Sequence, residues 1–338
     1  MMLEFYNSFK QKQGERMKKI YTLVLAALVA MSIVGCNGAD SAPAKPKKIQ
    51  NVQVYTTPNA DGKVTTKSIE AAFDSVGLSV PGNNDMNKPF SLRFKKTHYK
   101  TYNLAMFVNN DLTLKLVKKY PNFGALTPLT MSIWEAKDGS MNISTLSING
   151  MARATNIPVT DPDLVAYAAL IEKALQTAMP NGSFKDLPFT VKFPNKTLAT
   201  NFVMELDLDG EDPEEFIEGF EGELEGELEP LGFLLPNYTN LQEEIFDDAG
   251  YNEYDFYHTY SICKFDVIFP VSKTHPEAGA WAPCSFYLYK KKGEDKMYLG
   301  FLSVDNWITT LDIADDESIK PLKEAQGMIE NIVNEMTE

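Results

Sequence analysis

The side chains best equipped for chemistry are two thiols, a repeated set of phenols and three histidines. Cys263 and Cys284 each sit in an alternating apolar stretch. In SICKFDVIF, read as a strand, Ser261, Cys263, Phe265, Val267 and Phe269 share one face, and in CSFYL so do Cys284, Phe286 and Leu288. A nucleophilic or redox thiol needs some exposure and a lowered pKa, whereas thiols aimed at apolar faces suit inert packing or a buried disulfide. Three readings stay open: a Cys263–Cys284 disulfide on neighbouring strands, two buried thiols, or a redox or metal role.

YKTYNL and YHTYSI repeat a Tyr-x-Thr-Tyr pattern at an offset of 158 residues. It places Tyr99, Thr101 and Tyr102, and likewise Tyr257, Thr259 and Tyr260, as candidate ligand-binding residues. Rings with hydroxyl ends suit a small molecule or peptide, and equally suit a seam between domains. His98, His258 and His275 are scattered, and no metalloprotease, Cys-x-x-Cys, Gly-x-Ser-x-Gly or P-loop pattern occurs. No catalytic residue, metal site or cofactor is assigned. In ELDLDGEDPEEF, Asp207, Asp209, Glu211 and Asp212 could be read as a cation site, but the glycine falls at the wrong place for an EF-hand loop. An Asp212 helix cap followed by Pro213 fits better, with Phe216, Phe220, Leu224, Leu228 and Leu231 as its buried stripe.

The elements that must position these residues are written twice. YPNFGALTP (120–128) and HPEAGAWAP (275–283) share Pro-x-x-Gly-Ala-x-x-Pro at an offset of 155, and GLSVPGNN (77–84) falls on GFLLPNYT (232–239) at the same offset. Each unit reads strand, helix ending in Gly, strand, strand, short helix, hairpin with a Gly turn, long helix. NDLTLKLVKK (110–119) is the short helix of the first unit, and VSKT its abbreviated counterpart. Alternating strands with one covered face predict an α+β class: two tandem α/β sandwich domains, each a mainly antiparallel sheet with helices on one face.

The N-terminus predicts location. A basic start at Met17-Lys18-Lys19, an apolar run from Ile20 to Val34 and the ending Ile33-Val34-Gly35-Cys36 describe a secretory signal that resembles the bacterial lipobox. Cys36 is then the lipidation site, carrying a palmitate-type anchor, and Met17 the expected start. Residues 1–36 form an upstream extension and signal peptide, 37–49 a flexible linker, 50–182 the first repeat domain, 183–195 a connector and 196–338 the second repeat domain.

The formal charge of the 338 residues is −14, and residues 1–35 carry five Lys/Arg against two Glu, so the remainder is near −17. Such a surface repels phosphate backbones and argues against nucleic-acid partners.

The order of helix–Gly, Tyr-rich strand, short helix, proline-bounded Gly motif, hairpin and long helix resembles the domain of unknown function 302 family. PCSFYLYKKKGEDKMYLGFLSV (283–304) carries the likeness, and the first copy departs from it at Leu129, where the second has Cys284. The resemblance implies an α+β domain that pairs with itself, hence two domains paired within this chain, and brings no activity. The resulting expectation is an envelope lipoprotein, facing the periplasm or the surface, whose repeats form a membrane-tethered binding or interaction module for a small molecule or an envelope protein. The alternatives are an envelope redox protein or enzyme using Cys263 and Cys284, and a purely structural envelope protein. The membrane is a partner through the N-terminal lipid.

Overall fold

Local chemistry accounts for most of the element boundaries. Thr65 starts the first helix by accepting the Ser68 amide while Ser68 Oγ accepts the Thr65 amide, a reciprocal cap. Asp161 and Asp212 cap two later helices, each followed by Pro at the first helical position. Gly77 and Gly232 follow the ends of equivalent helices at φ +91° and +81°, a left-handed backbone that a side chain would strain.

The computed structural model describes residues 48–192 and 198–337; the proposed signal and lipidation site Cys36 lie outside them. The first half runs β1 (Val52–Pro58), α1 (Thr66–Ser75), β2 (Ser79–Asp85), α2 (Asn87–Phe94), β3 (Tyr102–Val108), α3 (Asn110–Lys119), a 3-10 turn (Pro121–Leu126), β4 (Leu129–Glu135), β5 (Ser140–Leu146), α4 (Ile148–Thr155), α5 (Pro162–Ala178) and β6 (Ser183–Phe184). The second runs β7 (Ala199–Glu205), α6 (Pro213–Leu228), β8 (Leu234–Asn240), a π turn (Gln242–Phe246), β9 (Tyr254–Cys263), α7 (Phe265–Thr274), a 3-10 turn (Pro276–Ala280), β10 (Cys284–Lys291), β11 (Lys296–Leu302), α8 (Asp305–Thr310) and α9 (Asp316–Thr337).

Two antiparallel sheets result, ordered β2-β3-β4-β5-β1-β6 and β8-β9-β10-β11-β7, so the fold is α+β and the strand order is the same in both halves. The short β6 pairs with Tyr55 and Thr56 and extends the first sheet only. On one face of the first sheet Phe107 meets Phe73 of α1, ring centroids 5.2 Å apart. The corresponding face of the second carries Phe286 and Leu288, both fully buried.

Strand register sets how the halves correspond. Tyr102 pairs with Trp134 and Tyr257 with Tyr289; Met106 pairs with Thr130 and Ser261 with Ser285. From Gly77 through β4 the offset is therefore 155 throughout, and the Tyr-x-Thr-Tyr match at 158 does not align equivalent residues. Tyr102 corresponds to Tyr257, while Tyr260 corresponds to Ala105. A repeated tetrapeptide is a weaker guide than register, because a three-residue slip would turn side chains to the other face.

Two further expectations change. Phe265–Thr274 is a full helix rather than a strand continuing to VSKT, with Val267, Ile268 and Val271 buried at helical spacing and Pro270 inside it. A short apolar run does not reveal its own period. Leu231 lies beyond the end of α6 and is exposed, and Ile217 takes a place in the buried stripe.

Candidate functional site

The repeated Pro-x-x-Gly-Ala segment explains how the two sheets meet. Each 3-10 turn lies against the other half's sheet, on the face turned away from that sheet's own helices. A Cβ on Gly279 would stand 2.4 Å from Ser132 Cβ and 2.6 Å from Leu104 Cδ2; one on Gly124 would stand 2.8 Å from Tyr287 Cβ. Ser132 and Tyr287 are equivalent positions on β4 and β10, so the two contacts mirror each other.

Hydrogen bonds follow the same pattern. Ser132 Oγ donates to the Pro276 carbonyl at 2.6 Å and Thr130 Oγ1 to that of Ala280 at 2.9 Å. In the reverse direction the Tyr257 hydroxyl donates to the Pro121 carbonyl and accepts the Gly124 N–H at 3.1 Å, and Ser285 Oγ donates to the Pro128 carbonyl at 3.2 Å. At the edge of this seam Phe94 stacks on Phe269 with centroids 4.0 Å apart, and Arg93 pairs with Asp266.

The six candidate ligand-binding residues divide across this arrangement. Tyr102 and Tyr257 are buried in the seam, and the Tyr102 hydroxyl points to the Pro276 carbonyl at 3.4 Å. Tyr99 lies beside Tyr102, its hydroxyl 3.4 Å from the Lys273 carbonyl; burial, with Glu277 nearby, pushes its phenol up to about 12. Thr259 is buried on the seam face of β9, its hydroxyl without a partner among the described residues. Thr101 is half-buried just before β3, where its carbonyl accepts the Glu135 amide. Tyr260 faces the helices. Trp281, in the repeated turn segment of the second half, is buried and donates to Thr310 Oγ1 at 3.1 Å.

Cys263 closes β9 and Cys284 opens β10, on neighbouring strands, and both are free thiols. They line a cavity of about 50 Å³ between the second sheet and its helices, walled by Ile262, Phe286, Phe301, Trp307 and Ile329 among others. Burial pushes both thiols up to about 12, so they are neutral and weakly nucleophilic at ordinary pH. Besides the thiols, three polar side chains on the wall, those of Lys264, Ser285 and Gln326, are engaged elsewhere, Ser285 Oγ with the Pro128 carbonyl as described above. Gln326 Oε1 accepts the Val304 amide at 2.8 Å, and Lys264 Nζ donates to the Leu231 carbonyl. Among the described residues no cluster of His, Cys, Asp and Glu could hold a metal ion.

Residues 54–179 form a DUF302 domain. The matching family model is described as Domain of unknown function DUF302. A solved structure, an uncharacterized conserved DUF302 protein from Bacillus stearothermophilus, matches over 42% of this chain and 100% of its own at 11% identity and a TM-score of 0.34. No curated protein matches the chain.

Sequence reading missed one polar cluster, which the register reveals in both halves. In the DUF302 domain Asn103 Nδ2 donates to Asn83 Oδ1 at 2.9 Å, and Asn83 Nδ2 to Glu70 Oε2 at 3.1 Å. The positions 155 residues on are His258, Tyr238 and Glu225. His258 Nδ1 lies 2.6 Å from Glu221 Oε1, one helical turn before Glu225, with the Tyr238 hydroxyl at 3.4 Å. Burial raises the neighbouring Tyr260 phenol, and Glu221 and Glu225 raise it further. His258 Nε2 is buried without a partner among the described residues. The signal lay in the 155 offset, which aligns His258 with Asn103 and not with Lys100. Asp212 caps α6, accepting the Glu214 amide at 2.9 Å, as the cap reading of the acidic run expects.

Proposed function

We propose that this protein is a lipid-anchored cell-envelope binding module made of two DUF302-type repeats, residues 196–338 being a diverged copy of the DUF302 domain. The observation that carries the reading is the cavity beside Cys263 and Cys284. It is concave and apolar, and its thiols are held neutral by burial, an arrangement suited to holding a ligand and unsuited to thiol attack. The shared strand order and the reciprocal Gly124 and Gly279 contacts support a pair of repeats acting as one rigid body. Met17–Cys36 supports the anchor.

Two experiments test this. Cys36→Ala should abolish incorporation of labelled fatty acid and leave precursor unprocessed; continued labelling would refute the anchor. A thermal-shift screen of envelope metabolites and lipids against residues 43–338 should find a stabilising ligand. Rapid alkylation of native Cys263 or Cys284 would favour the redox reading instead.

A further inference from the structure

We infer that the cavity of the second half is a binding site for the end of a short aliphatic chain, at a place where the DUF302 domain carries the larger side chains of Phe107 and Leu129. The inference rests on the binding-module reading and adds the place and the chemical class of the ligand.

The register supplies the argument. In the first sheet Phe107 pairs with Leu129, and the pair at the same place in the second sheet is Ile262 with Cys284. Phe107 is fully buried against Phe73, whose counterpart is Leu228. Phe123, packed on Tyr167 with centroids 6.1 Å apart, has Ala278 as its counterpart. At each of these positions the second half carries a smaller side chain, and two of them, Ile262 and Cys284, line the cavity where the sheet meets α7 and α9. Trp307 forms a wall of this space without closing it. Packed interiors contain few voids larger than a water molecule, so one bordered by a cross-strand pair that is smaller than its counterpart in the other half is a feature of the sequence.

Size and lining select the occupant. A water needs about 10–15 Å³ and several polar partners. Here there are about 50 Å³ and almost none, because the Gln326 oxygen, the Ser285 hydroxyl and the Lys264 ammonium are engaged elsewhere. An engineered apolar cavity of about 150 Å³ admits benzene, so this one is too small for a ring and suits a few carbons of a chain. Neutral thiols serve as soft, weakly polar wall. The head of such a ligand would remain outside.

The test uses residues 43–338, which form one compact unit, with xenon and 1-hexanol as probes. Both should shift the methyl resonances of Ile262, Ile268 and Ile329 and raise the melting temperature. The double variant Ile262→Phe/Cys284→Leu imports the pair that the DUF302 domain holds at this register. It should lose the xenon shifts and bind hexanol about tenfold or more weakly, the worth of two buried methylene groups. Cys284→Leu alone serves if the double variant does not fold. Absence of xenon shifts at these isoleucines, hexanol binding unchanged in the filled variant, or xenon entering where hexanol does not would each overturn the inference. A screened ligand that binds wild type and filled variant alike would overturn this site while leaving the binding-module reading intact.

Discussion

The two glycines of the repeated turn should respond to alanine in the opposite sense to the glycines of α6. On Gly279 an added methyl would meet Ser132 Cβ at 2.4 Å, Leu104 Cδ2 at 2.6 Å and Ser132 Cα at 3.0 Å. Leu104 can rotate; the backbone of β4, inside a six-stranded sheet, cannot. The turn must retreat, stretching the bonds from Ser132 Oγ to Pro276 and from Thr130 Oγ1 to Ala280. Overpacking costs about 1–3 kcal/mol and each weakened buried hydrogen bond about 1 kcal/mol, so Gly279→Ala should cost about 2–4 kcal/mol. Gly124→Ala should cost a similar amount, since its methyl would lie 2.2 Å from Tyr257 Oη and 2.8 Å from Tyr287 Cβ. Gly219, Gly222 and Gly226 are exposed on α6 with nothing within 4 Å of an added Cβ, so each should gain about 0.5–1 kcal/mol from the higher helix propensity of alanine. Urea denaturation followed by circular dichroism measures both sets. If Gly279→Ala and Gly124→Ala leave the unfolding free energy within about 0.5 kcal/mol of wild type, the seam is not packed as described.

Tyr257→Phe should cost about 1–3 kcal/mol, because the Pro121 carbonyl and Gly124 N–H lose a buried partner; Tyr102→Phe should cost less, its hydroxyl contact being long, and equal costs in denaturant would contradict this. Burial raises the Cys263 and Cys284 thiols from their ordinary 9.0 to about 12, so the unfolded chain releases these protons first. Their stabilising contribution is then complete below about pH 9 and is lost as pH rises toward about 12, and Cys263→Ala/Cys284→Ala should flatten that decline in unfolding experiments across the range. Native protein at neutral pH should resist alkylation while denatured protein titrates two thiols beyond Cys36; two missing thiols would reveal a disulfide. Asp212→Ala should cost about 0.5–2 kcal/mol through loss of the α6 cap, with little change expected for Asp207→Ala, as denaturation would report.

What the sequence could disclose was local and periodic. The caps at Asp161 and Asp212, the left-handed glycines at 77 and 232, the hairpin turns at Gly139 and Gly293 and the apolar stripe of α6 depend on residues within one or two turns of each other, and were legible. The offset of 155 was legible too, because proline and glycine sit at positions that few other residues can fill. The helix Phe265–Thr274 was not: its apolar residues suit a strand until the seam decides which of them are buried. The Tyr-x-Thr-Tyr match misled for a related reason, since side-chain facing depends on pairing with a distant strand. Only the tertiary structure decided that Gly124 and Gly279 are needed for approach to the other half's sheet and not for a turn, that His258 meets Glu221 and Tyr238, and that Ile262 and Cys284 border a hollow. A close approach, a buried cluster and a void are each defined by atoms far apart along the chain, and no window of sequence contains both sides of any of them.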